Sequence, residues 1–255
     1  MRILILSDVH ANLTGLEAAL KAAEGQWDRA VCLGDIVGYG PDPNEATDRV
    51  RPIVVSVIRG NHDKACTGLT NADDFNPVAR QAALWTRENL TAENMAYLKE
   101  LTQGPLESEG FTLIHGSLLD EDEYVFAPAQ ALDGLLGAPT QVSFFGHTHL
   151  QGGYSFRNNQ IEVLSIRTAT SAGGSVHSSV SKASLEIQGD TRYLLNPGST
   201  GQPRDGDPRA GFAIADVERR IVDFWRVPYD IESVQRRMLT AGLPEPLAVR
   251  LSFGR

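Results

Sequence analysis

Histidines in this chain gather directly after short apolar runs, together with acidic and amide side chains. Five of the six histidines do so. The polar residues that follow the five apolar runs are Asp8, His10, Asp35, Asn61, His62, His115, His147 and His149. Imidazole, carboxylate and amide groups without a thiolate favour Mn²⁺, iron, Co²⁺, Ni²⁺ or Zn²⁺ over Ca²⁺ or copper. These eight motif residues therefore predict a transition-metal site, but the ligand types do not single out one ion. The ion we expect is Mn²⁺.

The apolar runs themselves predict the elements that would bring these residues together. The predicted strands are residues 3–6, 30–33, 53–58, 111–114 and 142–145, and the predicted helices between the first three are residues 13–23 and 44–51. This alternation predicts a buried parallel sheet. Because ligands bind at the carboxyl ends of the strands in such sheets, we expect the motif residues to meet at one edge. Eight side chains there are enough for two metal ions.

Each cluster taken alone also has an ordinary explanation. An Asp-x-His sequence is commonly a turn or a helix cap, Gly-Asp and Gly-Asn are common turns after strands, and a His-x-His pair also occurs on surfaces. These explanations would all have to hold at five places at once. We therefore prefer a site for two metal ions. Two such ions about 3.5–4 Å apart lower the pKa of a bound water towards roughly 7, so that hydroxide is available at neutral pH.

The remainder of the chain predicts a helical insertion and a second set of strands. Residues 67–104 break the alternation, and Asn76-Pro77 and Thr91 are typical helix starts there. Further predicted elements are helices at 129–136 and 231–241 and strands at 161–166, 183–187, 193–195, 212–216 and 221–227. We expect the late strands to form a second, largely antiparallel sheet, and the acidic run at 120–123 to be a solvated loop.

The motif residues, in their order along the chain, resemble those of the calcineurin-like metallophosphoesterase family. Residues 196–205 and 226–230 resemble stretches of its small bacterial and archaeal phosphodiesterase-like members. The resemblance implies an α/β fold in which two β-sheets pack face to face and are flanked by helices, in four α/β/β/α layers. With no obvious linker, we expect one domain over residues 1–255, with a lid-like helical insertion at about 67–104 and a variable β insertion at about 154–190.

The same resemblance implies a role for each motif residue. The implied ligands of one ion are Asp8, His10 and His149, those of the other are Asn61, His115 and His147, and Asp35 bridges both. His62 would be the general acid that protonates the leaving oxygen, and Asp63 beside it is a candidate to orient its ring. Asn61, His62 and Arg204 are candidates for contacts with the substrate phosphate.

The expected reaction is hydrolysis of a phosphodiester of a small molecule or nucleotide, with a phosphomonoesterase as the nearest alternative. Ser/Thr protein phosphatases of the family carry an Asp-Arg pair shortly after the bridging aspartate. Here Asp35 is followed by Ile-Val-Gly-Tyr-Gly, which argues against that activity. A further alternative is a binding scaffold without turnover. The presence of His62 beside a complete ligand set argues against it.

Composition limits the partners of the protein. A net charge of −9 argues against a general nucleic-acid binder. Two cysteines are too few for a disulfide framework or a structural zinc site. The sequence shows no signal-peptide pattern at its first residues and no apolar stretch of membrane-spanning length. We therefore expect a cytoplasmic enzyme that acts on a small-molecule or nucleotide phosphate ester; the sequence does not indicate its oligomeric state.

Overall fold

The computed structural model describes residues 1–166 and 178–255 of the protein. Twelve strands and eight helices lie in these described residues. The strands are β1 (Arg2–Leu6), β2 (Arg29–Cys32), β3 (Val54–Val57), β4 (Leu106–Ser108), β5 (Phe111–Ile114), β6 (Val142–Phe145), β7 (Gly152–Arg157), β8 (Gln160–Ser165), β9 (Ser181–Glu186), β10 (Arg192–Asn196), β11 (Ala210–Asp216) and β12 (Ile221–Val227). The helices are α1 (Leu13–Ala22), α2 (Pro43–Val50), α3 (Asn61–Thr67), α4 (Pro77–Asn89), α5 (Ala92–Lys99), α6 (Pro128–Gly137), α7 (Ile231–Thr240) and α8 (Glu245–Leu251).

The strands form two mixed sheets of six strands each. The first sheet has the order β3-β2-β1-β11-β12-β9, and the second has the order β4-β5-β6-β10-β7-β8. Strands β1, β2 and β3 are parallel, as predicted. The expectation that the late strands form a sheet of their own is wrong, because β9, β11 and β12 complete the first sheet while β7, β8 and β10 complete the second.

The surroundings of β1 explain this difference. Residues 3–6 of β1 are fully buried, and the strand pairs in parallel with β2 on one side and antiparallel with β11 on the other. An unpaired edge there would leave buried N–H and C=O groups without hydrogen-bond partners. The nearly fully buried late strand β11 removes that edge. Alternation along a strand shows which face is apolar, but it does not show which strand lies alongside.

Alternation along β1 also builds the layers of the fold. Ile3 and Ile5 pack between the sheets in a cluster that includes Phe144 of the second sheet. Leu4 points the other way and packs with Leu16 of α1, while α6 covers the outer face of the second sheet. The two face-to-face sheets flanked by helices confirm the predicted fold class.

Local sequence signals define most of the helices. The predicted caps are confirmed, because the side chain of Asn76 accepts backbone hydrogen bonds at the start of α4 and Thr91 does so at the start of α5. Helices α3 and α8 and strands β4 and β7 were not predicted from the sequence. Strand β7 begins with Gly152 and Gly153, and glycines are unfavourable in strands. Glycine is nevertheless required at position 153, because a Cβ there would lie 2.2 Å from the carbonyl oxygen of Leu194.

The two segments predicted to be insertions occupy different places. In the first, α4 and α5 lie against α3, and α4 also packs on α7 and α8 through Ala82, Val234 and Leu247. The second contributes the β7–β8 hairpin and β9; residues 167–177 of it, with His177, lie outside the described residues. None of the described helices is both long and apolar enough to cross a membrane.

Candidate metal centre

All eight motif residues lie at the carboxyl ends of five strands, as predicted. Asp8 and His10 follow β1, Asp35 follows β2, Asn61 and His62 follow β3, His115 follows β5, and His147 and His149 follow β6. All except Asn61 are buried. The backbone N–H of His147 donates to Oδ1 of Asp8 at 3.1 Å. This bond joins the loops of the two sheets, so the site is built across both.

The backbone around these side chains is unusual. Positive φ angles between 48° and 66° occur at Asp8, His10, Asp35, His147 and His149. Residues with a Cβ rarely adopt this region, and each such position costs about 1–2 kcal/mol. Tight packing holds the loops in place, since a Cβ on Gly40 would lie 2.3 Å from the carbonyl oxygen of His10. Strained backbone held by its surroundings is a common property of functional sites.

The first group of candidate ligands consists of Asp8, His10, Asp35 and His149, whose ligand atoms all lie within 4.8 Å of one another. Nε2 of His10 lies 3.0 Å from Nε2 of His149 and 3.6 Å from Oδ2 of Asp35. Nε2 of His149 lies 3.3 Å from Oδ1 of Asp8. Two imidazole nitrogens and two carboxylates thus converge on one point.

The second group consists of Asp35, His115 and His147, again with ligand atoms within 4.8 Å. Nε2 of His115 lies 3.5 Å from Oδ2 of Asp35 and 3.4 Å from Oδ1 of Asn61. Asp35 belongs to both groups. Its Oδ1 accepts the backbone N–H of His62 at 2.8 Å, but its Oδ2 is buried without a hydrogen-bond partner among the described residues. A buried carboxylate oxygen without a partner is unfavourable, and a cation on either side would satisfy it.

Backbone carbonyl groups set the orientation of the four candidate histidine ligands. The contacts are His10 Nδ1 to Val37 O at 3.2 Å, His115 Nδ1 to Leu33 O at 2.7 Å, His149 Nδ1 to Gln202 O at 2.6 Å and His147 Nε2 to Asp122 O at 3.1 Å. Since a carbonyl only accepts, each contacting nitrogen carries the proton. The other nitrogen of each ring then faces the site, where its lone pair can bind a metal ion when it carries no proton, which is the arrangement expected of metal-ligating histidines. The residues present therefore fit divalent metal ions.

Charges in the site also suit metal binding. Burial lowers the pKa of His10 and His149, and lowers that of His147 to about 3, so these rings are neutral at pH 7. Burial also favours neutral His115, but the Asp35 carboxylate raises its pKa to about 10. A metal ion bound there would displace this proton, because only the deprotonated nitrogen is a ligand.

The imidazole of His62 lies beside the candidate ligands and is held in place by contacts with neighbouring rings. Its imidazole centroid is 4.2 Å from that of Tyr39, 4.6 Å from that of Phe75 and 4.9 Å from that of His10. Burial lowers the pKa of His62 to about 4. Gly38 makes room for the ring, since a Cβ there would lie 2.6 Å from Nδ1 of His62. His62 is thus fixed in place at the edge of a cavity without belonging to either ligand group.

The structure does not give Asp63 the role of orienting His62. Oδ2 of Asp63 accepts the backbone N–H groups of Asp35 at 2.8 Å and of Gly60 at 2.9 Å, and Oδ1 accepts that of Val37 at 3.2 Å. Nδ1 of His62 has no hydrogen-bond partner among the described residues. Asp63 therefore fixes the loops after β2 and β3.

Arg204 reaches the same region from the loop after β10. Its Nη2 donates to Oε1 of Gln202 at 3.1 Å and to the hydroxyl of Tyr39 at 3.4 Å. Its Nε is buried without a partner among the described residues. The guanidinium contacts Gln202, Tyr39 and Tyr124 and no carboxylate of the described residues. An unpaired, partly buried arginine is suited to bind an anion.

A cavity of about 370 Å³ opens beside these groups. It is lined by Asn61, His62 and His147 from the motifs and by Asn71 and Phe75 from the segment between α3 and α4. The insertion reaches the cavity mainly through the segment 70–76, together with Ala79 in the first turn of α4. Phe75 was not predicted, because a single aromatic residue in an insertion carries no signal of its neighbours.

The acidic run at 120–123 is a largely exposed loop, as expected from the sequence, but it also contacts the site. Lys64 Nζ donates to both carboxylate oxygens of Asp122 at 2.7 and 2.8 Å and to Glu121 at 2.8 Å. The carbonyl of Asp122 in turn contacts His147, and the ring of Tyr124 stacks on His147 with centroids 3.8 Å apart. This loop thus supports a candidate ligand, which composition alone could not reveal.

Comparisons with known proteins agree with this geometry. The model of the calcineurin-like phosphoesterase superfamily domain matches residues 1–220. An uncharacterized protein of Methanocaldococcus jannaschii is 30% identical over 99% of this chain and 98% of its own length. The crystal structure of a metallophosphoesterase from Sphaerobacter thermophilus is 40% identical, with a TM-score of 0.82 and coverage of 100% and 99% of the two chains.

A hypothetical protein from Pyrococcus horikoshii OT3 shares the fold, with a TM-score of 0.76 at 20% identity over 100% of this chain and 98% of its own. The family match covers most of the chain and includes every motif residue. The protein is therefore a member of the calcineurin-like phosphoesterase superfamily and a phosphoesterase.

Proposed function

We propose that the protein hydrolyses a phosphodiester of a small molecule or nucleotide at a two-metal centre, with His62 as the general acid. The observation that carries this proposal is the unpartnered Oδ2 of Asp35, which lies 3.6 and 3.5 Å from the inward-facing nitrogens of His10 and His115. One oxygen placed between two ligand groups suits a bridging carboxylate. Mn²⁺ is the ion we expect, with iron, Zn²⁺, Ni²⁺ and Co²⁺ as alternatives.

Each ligand group would hold one ion. The proposed ligands are Asp8, His10 and His149 for the first ion, Asn61, His115 and His147 for the second, and Asp35 for both. When bound, a pair of divalent ions polarises the phosphoryl group and makes water a stronger nucleophile at neutral pH. The chain itself orients the ligand nitrogens through backbone carbonyls and surrounds them with buried side chains.

The groups facing the cavity suit the remaining tasks. His62 lines the cavity, where it can give a proton to the leaving oxygen, and a bound phosphate anion favours the protonated ring that this step needs. Asn61 and Arg204 can donate hydrogen bonds to the phosphate oxygens that do not react. Residues 68–76 would act as the lid over the substrate, since Asn71 and Phe75 lie on the cavity wall.

We expect a diester before a monoester because residues 196–205 and 226–230 resemble those of phosphodiesterase-like members of the family. Arg204 has no carboxylate partner among the described residues, so it can bind a phosphate oxygen of either ester. Tyr39 packs on His62, and the five residues after Asp35 do not include the arginine that Ser/Thr protein phosphatases of the family carry there. A cytoplasmic setting agrees with the two unpaired, buried cysteines.

The test combines metal analysis with two model substrates. The protein is freed of metal with a chelator, reloaded with Mn²⁺, analysed for metal content, and assayed with bis(p-nitrophenyl) phosphate and p-nitrophenyl phosphate. We expect two ions per chain and faster turnover of the diester. Faster turnover of the monoester would favour the phosphomonoesterase, two bound ions without turnover of either ester would favour the binding scaffold, and failure to bind Mn²⁺ would refute the proposal.

A further inference from the structure

The four candidate histidine ligands differ in how firmly their orienting carbonyl groups are held. Three of these carbonyls belong to Leu33, Val37 and Gln202, which are at most 1% exposed. The carbonyl in contact with Nε2 of His147 belongs to Asp122, whose side chain is 51% exposed in a largely exposed loop. The orientation of His147 therefore depends on what holds the loop that carries Asp122.

Lys64 of α3 binds this loop with its ammonium group. Its Nζ donates to the two carboxylate oxygens of Asp122 at 2.8 and 2.7 Å and to Oε1 of Glu121 at 2.8 Å. These three acceptors match the three donors of an ammonium group. Lys64 is only 4% exposed, and a buried charge is unfavourable unless it is paired and hydrogen-bonded. The burial of Lys64 therefore depends on the position of this loop, and the loop is held by Lys64 in turn.

Lys64 also shares a helix face with a proposed metal ligand. Helix α3 begins at Asn61, and Lys64 lies three residues later, so the two side chains are neighbours on the helix surface. Asn61, Lys64, Asp122 and His147 all line the same cavity. Asn61 follows a strand of the first sheet and His147 follows a strand of the second. The pair of Lys64 with Asp122 thus joins the two parts of the chain that supply these ligands.

We propose that Lys64 is a positioning residue for the second metal ion and acts on it through Asp122 and His147. This inference rests on the proposed function, because it concerns the same two-metal centre. Loss of a group that helps to orient a metal-ligating histidine typically weakens metal binding by about 10–100-fold. The first ion should keep its affinity, because the carbonyls of Val37 and Gln202 orient its two histidines.

The test measures the affinity for each Mn²⁺ ion in Lys64→Met. Methionine keeps an unbranched side chain without the charge, and Glu121 keeps its ion pair with Arg59 at 2.9 Å, so the variant should fold. Equilibrium dialysis of the metal-free protein against Mn²⁺ gives the two affinities. We expect one ion to bind as tightly as in the wild type and the other about 10–100-fold more weakly.

Arg59→Met is the matched control. Arg59 donates to the carboxylate of Glu121 in the same loop and to Gln103, but Asp122 keeps its pair with Lys64 in this variant. Both Mn²⁺ affinities should therefore be those of the wild type.

A double variant separates positioning of His147 from general stabilisation of the fold. If Lys64 acts through His147, the variant Lys64→Met/His147→Ala should bind Mn²⁺ as His147→Ala alone does. Independent effects would add instead.

Three results would overturn the inference: unchanged affinity for both ions in Lys64→Met, an equal loss in Arg59→Met, or a further loss when Lys64→Met is added to His147→Ala. Selective loss of one ion in Lys64→Met, in a protein whose wild type binds two ions but turns over no diester, would refute the proposed function and leave the role of Lys64 standing. A wild type that binds only one Mn²⁺ ion would refute both.

Discussion

Replacing His62 by asparagine separates general acid catalysis from metal binding. The backbone N–H of His62 donates to Oδ1 of Asp35 at 2.8 Å, and a change of side chain leaves this bond in place. The ring itself contacts Tyr39, Phe75 and His10 only through packing. We therefore expect His62→Asn to keep the wild-type metal content while it loses the proton donor.

The size of the effect should depend on the leaving group. A general acid contributes about 10²–10⁴-fold to rate, which corresponds to roughly 3–5 kcal/mol of transition-state stabilisation. An alkoxide leaving group needs the proton, whereas p-nitrophenolate is stable without it. His62→Asn should therefore reduce kcat by about 10²–10⁴-fold for a diester with an alkyl leaving group, and far less for bis(p-nitrophenyl) phosphate.

The assay measures kcat for both diesters at saturating Mn²⁺, together with metal content. Tyr39→Phe is the matched control, because it removes a hydroxyl near Arg204 but keeps the ring beside His62; its activity should not depend more strongly on the leaving group than that of the wild type. An equal loss for both diesters, or a loss of bound metal in His62→Asn, would show that His62 does not act as the general acid.

Three further predictions concern the site. Asp35→Asn keeps an oxygen that accepts the His62 N–H but replaces the unpartnered Oδ2, which lies 3.6 Å from Nε2 of His10. The affinity for Mn²⁺, measured by equilibrium dialysis, should therefore fall by at least roughly tenfold. Unchanged affinity would contradict the bridging role. Gly38→Ala puts a Cβ 2.6 Å from Nδ1 of His62, so this variant should lower kcat and retain metal. Gly206 is the matched control, because it has a similar positive φ but no neighbour within 4 Å of a Cβ; Gly206→Ala should lower only stability. In the metal-free protein, the folded pKa of about 4 for His62 lies below its ordinary value of 6.5, so the unfolded state binds the extra proton between these values. Protonation of His62 in the unfolded state therefore lowers the free energy of unfolding by up to about 1.4 kcal/mol for each unit that pH falls through this window. The free energy of unfolding, measured by chemical denaturation from pH 6.5 to 4, should depend less on pH in His62→Asn than in the wild type. The same pH dependence in both proteins would contradict the lowered pKa.

The sequence by itself predicted the eight motif residues, their place at strand ends, the parallel β1, β2 and β3, and the caps of α4 and α5. These features depend on short-range physics. An apolar run with β-branched residues favours a strand wherever it lies, and a side chain such as Asn76 caps the helix that follows it directly. Because parallel strands end at a common edge, the meeting of Asp8 with Asp35 follows from local patterns alone.

Contacts between distant segments were decided only by the tertiary structure. Strand β11 pairs with β1 across more than two hundred residues of sequence, Asp63 binds backbone amides and not the ring of His62, and Phe126 stacks on Tyr124 beside His147. Alternation fixes which face of a strand is apolar, but partner choice depends on which buried edge lacks hydrogen bonds once the layers pack. The packing of the whole chain selects such pairs, and therefore no single segment of the sequence indicates which residues will be in contact.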